Sequence, residues 1–440
     1  MLHFDHVIIV NQDRQYVGSV VVENDLIKEV REEREAKADD YAHLPCLLPG
    51  IIDEHVHFRD PGMTHKGDIF TESRAAAAGG VTTCFDMPNC IPQTTTIGAW
   101  EAKMARAAEV CAVNYAFHFG ATSDNASLFP QLDTRHIPAL KLFMGSSTGG
   151  MLVDKEEELR RIFSESPLPV MAHCEDTSII TKNMKAVKAR YGDDPDVKWH
   201  SAVRSREACI ASSKLAARLS EEYGKKLLIA HVTTEEELAL SLYPEVFLEV
   251  CVPHLLFTDS DYDTLGTRIK CNPSVKTAAD REALRQALTD GSILTVATDH
   301  APHLMSEKAG GCARAVSGMP MVQFSLVAML ELVEEGLLEL PRLVRLMCHN
   351  PADFFGIIRR GFIREGFKAD LAVVRKGTPW TLTAAKVLSR CGWSPLEGRT
   401  FHWHVEQTYC NGRLIYDHQN GISPDARGEA VEFVHQPLGF

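Results

Sequence analysis

From about Pro49 to Gly356 the chain alternates short apolar runs with longer amphipathic segments, and this alternation narrows the fold more than any other feature. The runs include Val81–Phe85, Ala139–Phe143, Val170–His173, Leu227–His231, Phe247–Val250 and Ile293–Thr298. Between them lie Thr71–Ala78, Ile97–Val110, Asp154–Phe163, Ser205–Tyr223 and Asp280–Leu288, spaced as helices. Strands separated by helices must cross over to pair in parallel, so an α/β architecture is expected. Periodicity alone leaves a closed barrel and an open doubly wound sheet both standing. No G-x-G-x-x-G follows the first strand, which removes the main sign of a dinucleotide-binding sheet.

The two ends read differently. His6–Val10 and Gly18–Val22 are rich in β-branched residues, and Glu23-Asn24-Asp25 supplies a turn before Leu26-Ile27. The charged run Arg31–Asp40 is expected to be a solvated loop or an edge. Near the other end Asp370–Val374 reads as a strand, and Asn411-Gly412 sits between apolar segments as a hairpin turn. Termini often lie close together, so the two ends are expected to share one small sheet. The expected division is a small β domain from 1–48 and 360–440, around a larger unit at 49–359.

Composition removes several function classes. There are 59 acidic against 46 basic residues, a net charge of −13, and no basic run. A surface that tracks nucleic-acid phosphates is therefore not expected. An anionic substrate would need positive charge concentrated locally. The N-terminus lacks the basic region and apolar core of a signal peptide, and no stretch approaches a membrane span. The 12 cysteines form no C-x-x-C pair and read as reduced and mostly buried. A cytoplasmic location is expected.

Chemistry concentrates at the ends of the apolar runs. In Asp53-Glu54-His55-Val56-His57-Phe58-Arg59-Asp60-Pro61-Gly62, His55 and His57 are two apart and share one face of a strand that leads into a turn. Such a pair is either a chance H-x-H or two metal ligands at a strand end, where a barrel carries its active site. His173 closes Pro-Val-Met-Ala-His, His231 closes Leu-Leu-Ile-Ala-His, and Asp299 follows Leu-Thr-Val-Ala-Thr. One histidine so placed is an ordinary polar cap. Two histidines and an aspartate in the same position point to side chains converging on one mouth. Lys141 lies inside the apolar run Ala139–Phe143. It is either a lysine whose ammonium reaches water along its stem, or a buried, reactive amine that carbon dioxide could convert to a carbamate.

The string at 53–62, Met-Pro-Asn at 87–89, Lys141 in its strand, Ala-His-Cys-Glu at 172–175, Cys-Asn-Pro at 271–273 and Thr-Asp-His-Ala-Pro-His at 298–303 together resemble the motifs of the amidohydrolase superfamily, and within it the class I dihydroorotases. The resemblance covers the whole middle region, and the β-rich ends resemble that family's flanking small, β-sandwich-like domain. It implies a distorted (β/α)8 TIM barrel with a two-metal centre, normally zinc. His55, His57 and Asp299 would hold one Zn2+, His173 and His231 the second, with N6-carboxylated Lys141 bridging. Asp299 would also shuttle the proton.

By the same resemblance Arg59, Asn89 and His303 would take a substrate carboxylate, and Asn272 would contact the substrate. Backbone groups near Ser317 and Gly318 would reach the ring's amide edge. The implied reaction is reversible hydrolysis of dihydroorotate to N-carbamoyl-L-aspartate, in pyrimidine biosynthesis. The segment Leu304–Ser317, with Gly310-Gly311, reads as a mobile cover over the site.

Two places depart from the family pattern. Pro253 precedes His254 where two adjacent histidines are common, and 145–150 is unusually rich in Ser and Gly. An allantoinase or hydantoinase is the enzymatic alternative, although neither needs Arg59 and Asn89 for a carboxylate. A catalytically dead scaffold for a partner such as an aspartate carbamoyltransferase is the other, although all six metal-ligand positions are filled. A homodimer is a reasonable expectation; nothing in the sequence establishes a standing complex with an aspartate carbamoyltransferase.

Overall fold

The computed structural model describes residues 1–145 and 150–435, so the expectation for 146–149 lies outside the described residues. Eight parallel strands form the barrel: Ile51–Val56, Val81–Asp86, Asn114–Phe117, Leu140–Met144, Val170–Cys174, Leu227–Ile229, Val246–Cys251 and Thr295–Ala297. Nearly every residue in them is buried, as both-face burial of a parallel sheet requires. The ladder breaks at His118, between Phe117 and Phe119, where the imidazole Nε2 donates to Glu54 O at 3.0 Å. The two-residue strand Phe119–Gly120 then carries the pairing on to Leu140 and Lys141. Closure comes at the far side, where Val56 bridges His300 in parallel and His57 N donates to His300 O at 2.7 Å. The fold is therefore a distorted closed barrel, not an open sheet.

The surrounding helices brace the strand ends. Helix Ile69–Ala78 begins at Asp68, whose carboxylate accepts from Thr71 N at 2.7 Å. It carries Glu72 inward, where Glu72 Oε2 lies 2.9 Å from His300 Nε2. Met321 N and Val322 N both donate to His300 Nδ1, so the proton sits on Nε2 and is given to Glu72. His300 is thus a strut between barrel and helix, although it lies inside the most suggestive motif. Helix Ile97–Val110 likewise sends Lys103 to Asp86, which in turn accepts from Phe58 N.

The termini form one eight-stranded sheet. Leu2–Asn11, Arg14–Glu23 and Leu26–Glu35 pair antiparallel, Cys46–Pro49 runs parallel to the first, and Leu371–Thr381, Thr400–Cys410, Arg413–Asp417 and Gly421–Ile422 complete it. Leu26 bridges Lys368, so the sheet curls over its own core of Phe4, Ile9, Val22, Leu371 and Tyr409. The hairpin turns at Asn411-Gly412, both at positive φ, as its sequence requires. The Arg31–Asp40 run is partly a strand: Leu26–Glu35 is the sheet's outer edge, followed by a 3-10 turn at Ala38–Ala42. Charge along an exposed edge discourages pairing with other chains. A buried polar lock fastens the sheet to the barrel, with Asn114 Nδ2 donating to Asp370 and Asn411 Nδ2 to Asn114. All twelve cysteines are free, and only Cys391 is not fully buried.

Candidate active site

At the carboxyl ends of the strands lies a cavity of about 70 Å³. His55, His57, Arg59, Asn89, His173, His231, Asn272, Asp299, His303, Ser317 and Gly318 all line it. Lys141 is fully buried and does not. Convergence of the sequence-predicted residues is therefore the main observation.

Hydrogen-bond direction gives the cluster its character. Glu249 Oε1 is 2.8 Å from His55 Nδ1, and a carboxylate only accepts, so the His55 proton sits on Nδ1. Asn89 Oδ1 is 2.7 Å from His57 Nδ1 and fixes that ring in the same way. Both Nε2 lone pairs then face one carboxylate oxygen, Asp299 Oδ1, at 3.5 Å from His55 and 3.0 Å from His57. Burial pushes the His57 pKa down to about 4, so a proton cannot relieve the contact near neutral pH. Two buried imidazoles and a partly exposed carboxylate, with no donor between them, define a place for a cation.

A second pair completes the cluster. His173 Nδ1 and His231 Nε2 are 2.9 Å apart, and burial lowers both rings from the usual histidine range. His231 Nδ1 has no partner. Lys141 Nζ also has none, and burial lowers its pKa. Desolvation makes an unpaired ammonium costly there and shifts the balance toward the neutral amine. Between snorkelling and burial, the structure takes burial. His173 and His231 thus add two further buried ring nitrogens beside the first group, with the His231 ring 5.3 Å from that of His55.

Backbone strain gathers here. Arg59, His231 and Asp299 all take positive φ, at 65°, 42° and 48°. Such conformations cost on the order of 1 kcal/mol or more each and persist where surrounding structure imposes them. For His231, Glu249 Oε1 supplies the restraint by accepting from His231 N at 2.9 Å.

Beside the metal-ligand cluster sits a buried, net-cationic wall of Arg59, His303 and Lys66, the last paired with Glu307 Oε1 at 3.0 Å. His303 Nε2 is 3.0 Å from Arg59 Nη2, and its Nδ1 is 3.1 Å from Lys66 Nζ. Two obligate donors compete for the one lone pair of a neutral ring, and burial together with these cations drives the His303 pKa far down. Arg59 spends another donor on Pro302 O and keeps the rest of its fork for the cavity. Gly318 has φ 130°, and a Cβ there would meet His303 Cδ2 at 2.9 Å, so only glycine leaves the ring in place.

The Leu304–Ser317 segment, expected to be mobile, is tied down. Lys308 Nζ donates to the carbonyls of Lys270, Val316 and Gly318, and Asp194 accepts from Gly311 N, Ala313 N and Arg314 N. His254 lies outside the cavity lining and donates from Nε2 to Pro273 O.

Sequence reasoning missed Glu249, Lys66 and the Glu175–Arg204 pair. Glu249 was signalled only as a carboxylate inside an apolar run. Glu175 Oε2 lies 3.0 Å from His173 Nε2 and is also bound by Arg204.

Comparison with known proteins agrees with this geometry. Residues 46–415 match the Amidohydrolase family. A dihydroorotase of Halobacterium salinarum is 38% identical over 87% of this chain and 89% of its own. One from Methanosarcina mazei is 31% identical, with 94% of each chain covered. Among solved structures, the L-hydantoinase (dihydropyrimidinase) of Arthrobacter aurescens superimposes with a TM-score of 0.89 at 26% identity, covering 98% of this chain and 99% of that one. The matched span holds the whole barrel and every residue of the cavity, and the chain belongs to the amidohydrolase family, on its dihydroorotase branch.

Proposed function

We propose that this chain catalyses the reversible hydrolysis of the cyclic amide of dihydroorotate, giving N-carbamoyl-L-aspartate. The observation that carries the metal-dependent part is the meeting of His55, His57 and Asp299 as three acceptors with no donor. These three would hold one zinc ion, and His173 and His231 the second. Imidazole and carboxylate suit zinc.

Lys141 would bridge them as a carbamate. The neutral amine's lone pair attacks the carbon of carbon dioxide and an N–C bond forms. One C=O π pair moves onto oxygen, and a proton leaves nitrogen for solvent. The product is an anion in a place that disfavours an unpaired ammonium.

When bound, the ions supply Lewis acidity and lower the pKa of a coordinated water toward neutrality. The chain's own groups do the rest. Asp299 takes the proton at its carboxylate and delivers it to the departing ring nitrogen. Arg59, Asn89 and His303 receive the substrate's carboxylate, and Asn272, Ser317 and Gly318 meet the ring. A neutral hydantoin offers nothing to that buried cationic wall, which favours dihydroorotate.

Arg59→Lys keeps the charge but loses the fork. It is expected to lower kcat/KM about 10- to 100-fold, mostly through KM; an unchanged KM would speak against the carboxylate role. Glu249→Gln removes a charge that fixes His55 and His231 together. Zinc affinity of the metal-stripped protein is expected to fall about 10- to 100-fold, read by direct titration.

The test of the proposed activity is loss of dihydroorotate absorbance before and after chelation. Turnover that disappears with the metal and returns with zinc supports it. Undiminished turnover in fully stripped protein would overturn it.

A further inference from the structure

Next to the active site is a second cavity, of about 550 Å³, between helix Thr177–Tyr191, helix His200–Val203 and residues 312–317. Ser317 lines both cavities. Four charged side chains line the second one, Lys185, Lys188, Arg204 and Lys270, and every one is cationic. The chain as a whole has 13 more acidic than basic residues, so composition does not account for such a wall.

The cations are not equivalent. Arg204 is committed to Glu175, and Lys270 Nζ donates to Ala315 O. Asp194, which packs against residues 311–314, is occupied by three backbone N–H groups. Lys185 and Lys188 make no ion pair among the described residues. They lie one turn apart on a helix that also carries Lys182 and Arg190 and has no acidic residue between Thr177 and Tyr191. The rest of the lining is largely apolar, with Ile180 and Met184 on the same helix and Val203 and Cys312 from neighbouring segments. Clefts lined by one sign of charge raise the local concentration of the opposite sign.

We propose that this cavity is an anion-receiving vestibule, in which Lys185 and Lys188 draw the carboxylate-bearing substrate toward Ser317 and the active site. The inference rests on the dihydroorotate reading. Ring opening adds a second carboxylate, so both forms of the substrate are anions and both are attracted. The equilibrium constant fixes the ratio of kcat/KM in the two directions. Loss of the lysines must therefore lower both by the same factor.

The test is steady-state turnover in both directions at low and high salt, for the zinc-loaded parent enzyme and for Lys185→Glu/Lys188→Glu. At low salt the variant is expected to lose roughly tenfold in kcat/KM, with kcat nearly unchanged. The parent's kcat/KM is expected to fall with salt until the two converge. Lys185→Gln/Lys188→Gln should lie between them, and all three should unfold at similar temperatures. Equal kcat/KM and equal salt dependence in parent and variant would overturn the vestibule while leaving the activity standing. A fall in kcat with KM unchanged would also overturn it, because steering does not act on the bound complex. A parent inactive on dihydroorotate would instead sink the underlying reading.

Discussion

Asp299→Asn is expected to lower turnover of dihydroorotate about ten-thousand-fold, the upper range for loss of a positioned acid–base group. The same substitution is expected to make the metal-free protein more stable, by about 1 kcal/mol. The lone pairs of His55 and His57 face the Asp299 oxygen at 3.5 and 3.0 Å with no proton between them. An amide N–H at that position supplies the missing donor, while also weakening zinc binding. Stability of the stripped proteins is measured by denaturant unfolding and affinity by zinc titration. A metal-free Asp299→Asn protein less stable than its parent would contradict the reading of the cluster as uncompensated acceptors.

Lys141→Met is expected to abolish turnover, lower the zinc content, and leave the metal-free protein as stable as its parent or more so. Methionine is close in shape, and replacing a buried, unpartnered amine with an apolar chain removes a desolvation cost. The native parent should carry the extra mass of one carbon dioxide, lost on acidification, whereas the variant should not. Full activity in Lys141→Met would exclude a bridging role.

Much of this site was legible in the sequence because its side chains sit at the ends of short apolar runs. A strand buried on both faces tolerates polar residues where it meets the mouth, so His173, His231 and Asp299 stand out from their runs. The terminal sheet was legible through the Asn411-Gly412 turn, whose backbone needs are local. What stayed hidden depends on contacts distant along the chain. Glu249 acquires its role by meeting His55 across 194 residues, and no local pattern encodes that. The Asn114–Phe117 strand is too short, and too near the break at His118, for a period to register. The cover segment read as mobile from its glycines, yet Gly311 lies close against Pro195 O and Lys308 ties the carbonyls beneath it. Flexible residues there permit close packing. The strained φ values of Arg59, His231 and Asp299 are likewise imposed by tertiary contacts.

Solved hydantoinases share this fold closely, while the dihydroorotases share more of its sequence. Arg59, Asn89 and His303 are the proposed basis for choosing between their substrates. The most direct measurement is therefore turnover of dihydroorotate, hydantoin and allantoin, side by side, by one zinc-loaded preparation. Turnover of dihydroorotate alone, reduced by Arg59→Lys, is the expected result. Turnover of hydantoin or allantoin in its place, or of none of the three at full metal occupancy, would contradict the assignment.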